Sequence, residues 1–547
     1  MVVRASRPLS RGYPARVRAE ARRSATAGET SIPHRAVQCY PIGDRYSTMS
    51  EEFVTRKLSG WGRFPVETCN VYRPESRRQL AAILGSNSQP SLISYGLGRS
   101  YGDAPLNTQG GVICHARLNR FLAFDAESGV LECEAGVSLA EILRYFLPRG
   151  FFLSVTPGTK FVTVGGATAA DVHGKNHHQD GTFGNFVLDF KLLTAKGDIL
   201  PCSANNNGEV FWATLGGMGL TGVILSARIK LRPVASAWML VDYQQAANLE
   251  DALGSMTESD INYQYSVAWI DCLATGRHMG RAVLMRGNHA SASDLPASIR
   301  DPLAQPPRRQ WTLPFDFPSL VLNSLAVRAF NAFYYTLHRN AVRQLVDLET
   351  FFYPLDAIHH WNRMYGRRGF VQYQSALPLT GGLEGLKRLL TRLARSRRAS
   401  FLAVLKRFGK SSPGPLSFPL EGYTLALDLP VANGLIPLLR ELDGLVLDYG
   451  GRIYLAKDAV MTAPTFKAMY PKLEQFRAIK TRLDPQGLFS SSQARRVGIV
   501  ESCCGAGFSP AVPRPSQRRA FAGRKRSRDG RLDARAAREE LEACQQC

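Results

Sequence analysis

The sequence predicts an α+β fold of two domains with a tail at each end. Its 547 residues exceed what one ordinary core accommodates. A hydrophobic fraction of 45% beside 48 Gly and 31 Pro is typical of a globular enzyme with many loops. Between about residues 59 and 233, short strand patterns alternate with helical ones. Together these observations exclude a chain that is disordered throughout.

The first predicted domain begins with a strand, a helix and another strand. The first strand ends near Val71, and the segment after it has Leu80, Ile83 and Leu84 at helical spacing. The run PSLISYG is then a short apolar strand that leads into a glycine-rich loop.

Further strands and one more helix complete this domain. Strands are predicted at GGVICHA and GVLECEAG, and VLDFKLLTA and DILPCS are predicted to pair through the tight turn AKGD. Among them, SLAEILRYFLPRG is predicted to be a helix whose first turn carries the capping box Ser138 and Glu141.

From Ala235 onward, longer strands and helices predict a second domain. A Pro-rich run at 291–318 interrupts it, and such a length without periodicity predicts a mobile loop of the kind that often frames a site. The next segment, SLVLNSLAVRAFNAFYYTL, is nearly long enough to span a bilayer. Asn323, Arg328 and Asn331 interrupt its apolar face, so we expect a packed or interfacial helix instead of a spanning one.

The formal net charge of +23 invites a nucleic-acid interpretation, but much of it lies at the ends. Residues 1–48 hold 9 Lys and Arg against 3 Asp and Glu, and residues 498–547 hold 10 against 6, which leaves +13 for the middle. Neither a zinc-finger spacing nor an RNP-type aromatic run accompanies that charge. A basic surface attracted to anionic lipid or phosphate explains it, and we expect no nucleic-acid partner.

The two ends are predicted to lie outside the folded domains. Residues 1–54 are Arg-rich and superficially suit a transit peptide, but they lack the apolar region of a secretory signal. We expect a disordered or upstream extension there, with Met49 as the true start. Residues 498–547, with the run AGRKRSRDGR, are expected to be a disordered basic tail.

The cysteines and histidines predict neither disulfides nor a metal site. Four cysteines lie in the C-terminal tail and six are scattered without paired ligand spacing: Cys39, Cys69, Cys114, Cys133, Cys202 and Cys272. We expect reduced thiols in a cytoplasmic protein. The run HGKNHH at 173–178 has no carboxylate or Cys at ligand spacing, and in a strand its adjacent His177 and His178 would point to opposite sides.

A glycine-rich loop, SYGLGRSYGD at 94–103, directly follows a predicted strand. Its glycines allow successive backbone N–H groups to form an anion nest, and Arg99 adds charge suited to a pyrophosphate. A Rossmann fingerprint does not fit, because the third glycine is displaced and no helix follows. Taken alone, an ordinary Gly-rich turn is an equally good interpretation.

Two more glycine-dense segments follow in the same domain. The first runs from PGTKFVTVGGA at 157–167 into DVHGKNHH at 171–178, and the second is FWATLGGMGLTGVI at 211–224. Small residues let the backbone approach a flat ring system closely, where N–H groups can bond ring carbonyls or phosphate. The loops together predict a large anionic ligand.

These segments, with VQYQ, LSFP and YLAKD further on, resemble the decaprenylphosphoryl-β-D-ribose 2-oxidase family of the vanillyl-alcohol-oxidase superfamily of flavoenzymes, over about residues 55–497. The resemblance implies a two-lobed FAD-binding domain of the PCMH type at 55–235, to which residues 449–497 return. It places an antiparallel-sheet substrate domain at 236–448.

The resemblance also implies the residues that hold FAD. They are Gly96, Gly98, Arg99, Ser100, Tyr101, Gly102, Asp103, Gly158, Thr163, Val164, Gly165, Gly166, Ala170, Asp171, Val172, His173, Ile224 and Tyr454. Members with covalent flavin carry a histidine in the first glycine loop. Arg99 and Ser100 stand there instead, so we expect the FAD to be bound non-covalently.

The substrate side follows from the same resemblance, which assigns catalysis to His173, Lys457 and Gln374 and substrate binding to Lys175, Gln372 and Tyr101. The Lys457 ammonium could bind the N1–C2 edge of the flavin or a substrate phosphate. Strand alternation puts Gln372 and Gln374 on one face. From the residues alone, a solvated lysine and an exposed strand face remain alternatives.

The implied activity is oxidation of the C2 hydroxyl of a polyprenyl-phosphate ribose to a ketone, with His173 or Lys457 as candidate bases. A quinone or oxygen would reoxidise FAD, and an NAD(P)H-dependent reductase would complete an epimerisation to arabinose for arabinan and cell-wall synthesis. Ala426 replaces a cysteine of actinobacterial members, which leaves the lipid and sugar open. Alternatives are a soluble aldonolactone or alditol oxidase and a non-catalytic flavoprotein or basic scaffold.

Overall fold

A computed structural model describes residues 52–318, 323–396, 398, 400 and 402–500. The predicted tail after residue 500, nearly all of the predicted N-terminal extension and the cysteines in those segments lie outside the described residues. Within the described part, Cys69, Cys114, Cys133, Cys202 and Cys272 form no disulfide.

A four-stranded sheet carries the first glycine loop, with the strand order β1-β2-β4-β3. Its elements are β1 Val54–Ser59, β2 Val66–Tyr72, α1 Arg77–Gly85, β3 Leu92–Tyr95 and β4 Gly111–Cys114. Helix α1 buries Leu80, Ile83 and Leu84, as the spacing predicts. Strands β2 and β3 both run parallel to β4, so the loop after Tyr95 lies at their carboxyl edge, where open sheets bind ligands.

A six-stranded antiparallel sheet carries the second and third glycine segments, with the order β5-β6-β10-β8-β9 and β7 paired to β10. The strands are β5 Phe121–Asp125, β6 Val130–Glu134, β7 Phe151–Leu153, β8 Val187–Leu193, β9 Ile199–Ser203 and β10 Val223–Pro233. The helices are α2 Leu139–Phe146, α3 Val164–Ala169, α4 His177–Asp180 and α5 Gly208–Thr214. The capping box of α2 and the β8–β9 hairpin are confirmed, whereas His177 and His178 lie in a short helix and not in a strand.

An eight-stranded antiparallel sheet occupies most of the second half of the chain, in the order β15-β11-β13-β12-β18-β19-β17-β20. The strands are β11 Trp238–Ala246, β12 Tyr265–Ile270, β13 Ala282–His289, β15 Ala341–Asp347, β17 Phe370–Pro378, β18 Ala403–Phe408, β19 Gly422–Pro430 and β20 Arg452–Ile453. Short strands β14 Trp311–Thr312 and β16 Ile358–His359 pair separately, so the Pro-rich run contains one strand that the sequence did not predict.

The helices of this half are α6 Leu249–Ser259, α7 Ser324–Leu337, α8 Leu348–Phe352, α9 Leu379–Ser396, α10 Leu435–Asp448, α11 Ala463–Met469, α12 Leu473–Leu483 and α13 Ser492–Arg496. Helix α7 is the one predicted to be packed or interfacial, and Asn323 caps its start. In the described part of the chain, no helix is both long and apolar enough to cross a membrane.

The last described residues return to the first sheet. Leu92 of β3 forms a parallel bridge with Phe489, and the Ser492 hydroxyl donates to the Glu67 carboxylate. These contacts support a C-terminal segment that completes the first lobe. The described residues all belong to one compact unit, so the domain boundaries at 235 and 448 stay predictions.

Candidate active site

The first two glycine loops lie against each other. A Cβ built on Gly96 would come within 2.5 Å of the Thr163 hydroxyl, so only glycine allows this approach. Gly98 adopts a left-handed φ of 63°. Within the described residues, the backbone N–H groups from Leu97 to Ser100 donate to no protein acceptor. Free donors in a glycine loop at a sheet's carboxyl edge suit a pyrophosphate.

Arg99 supplies a fixed cation beside these donors. Its guanidinium carbon lies 4.0 Å from the centre of the Trp61 ring and 5.1 Å from that of Phe161, so two aromatic rings hold it. Its Nε is buried and has no hydrogen-bond partner in the described part of the chain, and burial lowers the pKa of the guanidinium. An anionic ligand would satisfy that orphaned donor.

The second glycine loop lets a ligand approach the backbone closely but has few free N–H groups to bind it. Thr163 caps α3 by accepting from the Gly166 N–H, while the Val164 and Gly165 N–H groups donate to carbonyls of the protein. The expectation that N–H groups bond the ring is therefore wrong for these three residues, because secondary structure already uses them. Beside Gly158 a Cβ would meet nothing within 4 Å, which leaves space for a ligand.

Several predicted FAD contacts shape the site through the protein itself. Asp171 is fully buried, and its carboxylate accepts from the Gly184 N–H at 3.0 Å and the Ser417 hydroxyl at 2.5 Å. The Tyr454 hydroxyl donates to the Ala170 carbonyl at 2.8 Å. Both contacts fix the turn through Val172 that presents His173. Ile224 lies buried in β10.

Tyr101, Gly102 and Asp103 join the first loop to the C-terminal segment. A Cβ on Gly102 would lie 1.7 Å from the Asp458 carbonyl oxygen, so the two backbones touch here. The buried Asp103 carboxylate pairs with Arg496 through contacts of 2.7 and 2.9 Å, so it holds the loop in place and is not free for a ligand.

His173 and Gln374 form the centre of the site. The Gln374 amide nitrogen lies 2.9 Å from His173 Nε2 and 3.2 Å from the Thr424 hydroxyl. That hydroxyl donates to the Ser375 carbonyl and so accepts from Gln374, which makes His173 Nε2 the acceptor of the amide's other proton. Burial, with smaller effects of Lys406, His177 and Lys457, holds the pKa of His173 well below its usual range. A neutral imidazole engaged in this way is a poor proton acceptor.

Lys457 lies in a polar cluster next to this pair. Its ammonium nitrogen is 3.8 Å from the centre of the Tyr101 ring. Burial lowers its pKa to about 7, opposed by Asp428 and reinforced by Lys406. Gln372 donates to the Asp428 carboxylate at 2.6 Å, so its amide is used within the protein, and burial raises the pKa of Asp428 to about 7. A lysine that is partly neutral near pH 7 can accept a proton.

Three lysines at the site have no carboxylate within ion-pair distance. Lys175 donates to the Phe351 carbonyl and its pKa is lowered to about 7, while that of Lys406 on β18 is lowered to about 8, in both cases chiefly by burial. The described lysines that have a carboxylate within ion-pair distance are Lys160, Lys191, Lys387 and Lys480, so Lys175, Lys406 and Lys457 have none. Partly buried cations without counter-charges suit an anionic ligand.

The sequence analysis missed Lys406, Thr424 and Asp428. Lys406 resembles any strand lysine in the run VLKRF, and only the pairing of β18 with β19 opposite Thr424 shows which face it occupies. The pairings of β17 with β19, β19 with β18 and β18 with β12 form a row of neighbouring residues on one sheet face. In order, the row contains Gln374, Ala426, Val404 and Trp269.

Comparison with known proteins fits this site. The sequence-family model of the FAD binding domain matches residues 70–203, and that of D-arabinono-1,4-lactone oxidase matches residues 370–497. Decaprenylphosphoryl-β-D-ribose oxidase of Mycolicibacterium smegmatis is 38% identical over 460 residues, which cover 83% of this chain and 100% of the relative. The chain belongs to the decaprenylphosphoryl-β-D-ribose oxidase family. Its resemblance to that family, drawn from the motifs, is confirmed.

More distant relatives act on other compounds. L-gulono-1,4-lactone dehydrogenase of Mycobacterium tuberculosis is 23% identical over 80% of this chain and 98% of its own length. L-gulonolactone oxidase of Bos taurus is 25% identical over 77% and 92%. As a member of the decaprenylphosphoryl-β-D-ribose oxidase family, the chain is an FAD-dependent oxidoreductase. The free N–H groups after Gly96, the orphaned Arg99 nitrogen and the space at Gly158 fit that cofactor.

Proposed function

We propose that the chain oxidises the C2 hydroxyl of a polyprenyl-phosphate ribose to the 2-keto sugar, the first half of an epimerisation to the arabinose form. The observation that carries the proposal is the group of three lysines without counter-charges around the His173–Gln374 pair. A phosphodiester keeps one negative charge and suits those cations, and the sugar beside it can reach the amide. The name of the relative from Mycolicibacterium smegmatis points to the same substrate class.

Each group of residues has a proposed task. Lys175 and Lys406 bind the phosphate. Because His173 and Thr424 already use both amide protons of Gln374, the sugar hydroxyls donate to the amide oxygen of Gln374. Lys457 accepts the hydroxyl proton, because its pKa is about 7 and that of His173 is far lower. FAD held by the glycine loops supplies the acceptor for the hydride from C2. Tyr101 and Gln372 position Lys457 and Asp428.

The surrounding reactions follow from this chemistry. A quinone or oxygen takes the electrons, and an NAD(P)H-dependent reductase reduces the ketone to the epimer, which serves arabinan synthesis for the cell wall. We propose a cytoplasmic protein, and because the lipid substrate resides in a membrane, the chain works against a membrane surface. The charge of +23 favours an anionic surface.

A second candidate function is oxidation of a soluble aldonolactone or alditol by the same flavin. The D-arabinono-1,4-lactone oxidase model, which matches residues 370–497, favours it. Such neutral substrates leave the charges of Lys175 and Lys406 unused, so we rank this function second.

We expect polyprenyl-phosphate ribose to bleach the bound flavin without air, because it fits both the cations and the amide of the site. Absorbance of the full chain is followed after this substrate or L-gulono-1,4-lactone is added. If the lactone bleaches the flavin and polyprenyl-phosphate ribose does not, the second candidate function replaces the first. Acid precipitation should release the flavin into the supernatant, and flavin retained in the pellet would contradict non-covalent binding.

Substrate affinity should fall as the pH rises. The lowered pKa values of Lys175, Lys406 and Lys457 mean that the site loses positive charge between about pH 6 and about pH 9, while a phosphodiester keeps its charge. We expect binding to weaken at least about tenfold across that range. Titration with a 2-deoxyribose analogue, which cannot be oxidised at C2, measures it.

The variant Lys406→Arg should flatten this pH profile, because arginine stays charged throughout. Exposed Lys410→Arg is the matched control and should leave the profile unchanged. A profile that is equally steep in both variants would show that Lys406 does not contact the phosphate.

A further inference from the structure

Helix α7 exposes an apolar face and packs against the protein with polar and aromatic side chains. Asn331 is fully buried and donates to the Asp271 carboxylate at 2.7 Å. The Tyr334 ring lies 4.7 Å from the Trp269 ring, and the Tyr335 hydroxyl donates to the Ala246 carbonyl. Val327 is the apolar residue of α7 that is buried beside them. The larger apolar side chains of the helix therefore face outward, whereas the polar side of a surface helix usually faces water.

The outward side of the 14-residue helix is almost entirely apolar. Leu325 is 78% exposed, Phe330 41%, Phe333 57% and Leu337 61%. Phe330, Phe333 and Leu337 follow one another at steps of three and four residues, so they form one stripe along the helix. A continuous exposed stripe with two phenylalanines marks an interaction surface, in contrast to single scattered apolar residues.

The charged residues in the segment that contains this stripe are all basic, although Arg343 pairs with Asp294. Residues 317–346 contain Arg328, Arg339 and Arg343 and no Asp or Glu. A shallow groove of about 460 Å³ lies at the C-terminal end of α7, lined by Gln245, Tyr335, Thr336, Arg339 and Asn340. Aromatic and aliphatic side chains flanked by arginines are typical of helices that lie in the interface of an anionic bilayer.

Helix α7 also lies over the sheet face that carries the candidate active site. The cross-strand row from Gln374 through Ala426 and Val404 ends at Trp269, on which Tyr334 packs. A membrane or protein that contacts α7 would therefore lie at the Trp269 end of this row of residues, and the His173–Gln374 pair lies at its other end.

We propose that the outward face of α7, formed by Leu325, Phe330, Phe333 and Leu337, attaches the chain to the surface of an anionic phospholipid bilayer. The phenylalanines enter the boundary between headgroups and acyl chains, and Arg328 and Arg339 contact lipid phosphates. The functional purpose of this attachment rests on the proposed function, since attachment would bring the active site to the membrane that holds the lipid-linked substrate.

Co-sedimentation of the full chain with vesicles tests the attachment without any substrate. Vesicles of phosphatidylcholine alone are compared with vesicles containing phosphatidylglycerol. The double variant Phe330→Ser and Phe333→Ser should weaken binding to the anionic vesicles at least about tenfold. The matched control is Ile261→Ser, which changes an apolar side chain that is 79% exposed outside α7 and should bind like the unchanged chain.

A second variant separates charge from apolar contact. Arg328→Gln with Arg339→Gln should weaken binding to the anionic vesicles and leave the weak binding to neutral ones unchanged. Equal thermal unfolding midpoints show that all variants fold. The proposal is overturned if the unchanged chain does not bind anionic vesicles. It is also overturned if the phenylalanine variant binds them equally well, because the basic tails would then account for attachment.

Two further measurements assign the surface. Light scattering measures whether the chain is a dimer. A dimer that the Phe330→Ser and Phe333→Ser variant abolishes would show that the α7 face binds a second copy of the chain, and it would overturn the proposal of bilayer binding. Flavin reduction by substrate in detergent should stay within about twofold in the phenylalanine variant. Loss of reduction in the unchanged chain would refute the proposed function and leave the vesicle result standing.

Discussion

Replacing Lys457 with alanine is expected to slow flavin reduction by polyprenyl-phosphate ribose by roughly 10²- to 10⁴-fold. The pKa of the Lys457 amine, about 7, suits proton transfer at neutral pH, and the amine lies next to the His173–Gln374 pair, whereas His173 stays neutral with Nε2 engaged. Stopped-flow absorbance of the flavin under anaerobic conditions measures the rate. A small primary amine added to the solution should restore part of it, which a merely structural role would not allow.

The matched control is Lys467→Ala, which removes an exposed lysine from the neighbouring helix α11. It should reduce its flavin as fast as the unchanged chain. If Lys457→Ala keeps its rate within a few-fold of the control, another group accepts the proton, and the carboxylate of Asp428 is the next to test.

Replacing Arg496 with methionine should lower the free energy of unfolding by about 3–5 kcal/mol. The guanidinium contacts Asp103 at 2.7 Å and Asp458 at 2.8 Å, and all three side chains are largely buried. Without it, two buried carboxylates face each other without a cation, and Asp458 keeps only its bonds from N–H and amide donors such as the Val460 and Met461 N–H groups. Urea unfolding followed by tryptophan fluorescence measures the change, and the variant should also lose FAD because Asp103 ends the first glycine loop.

Arg482→Met is the matched control for charge removal. Arg482 pairs with Glu209 at the surface, and such exposed pairs contribute about 0–1 kcal/mol. An Arg496→Met variant as stable as Arg482→Met would show that the buried carboxylates become protonated or hydrated at little cost. The assignment of Arg496 as the residue that fastens the loop would then fail.

Local patterns predicted local structure well. The helix over Leu80 and Leu84, the capping box at Ser138 and the hairpin at 194–198 depend on neighbours in the chain, which the sequence displays directly. The sequence did not predict the short helix that contains His177 and His178, because a short run without apolar alternation does not distinguish a strand from a turn of helix.

The site needed contacts between distant parts of the chain. Lys406 and Asp428 become members of it only through the pairing of β18, β19 and β17, and no local pattern encodes that register. The approach of Gly96 to Thr163 is likewise a tertiary contact. The motif resemblance supplied the loops and Lys457, but the cation cluster appeared only once the strands were in place.

The contact between Asp103 and Arg496 joins residues 393 positions apart. At ribosomal rates of roughly 5–20 residues per second, the arginine is added about 20 to 80 seconds after the aspartate. The loop that we predict to bind the pyrophosphate of FAD thus spends most of synthesis without the partner that fastens it. We therefore expect flavin to bind only after residue 496 has been added, so a nascent chain stalled before that residue should be colourless.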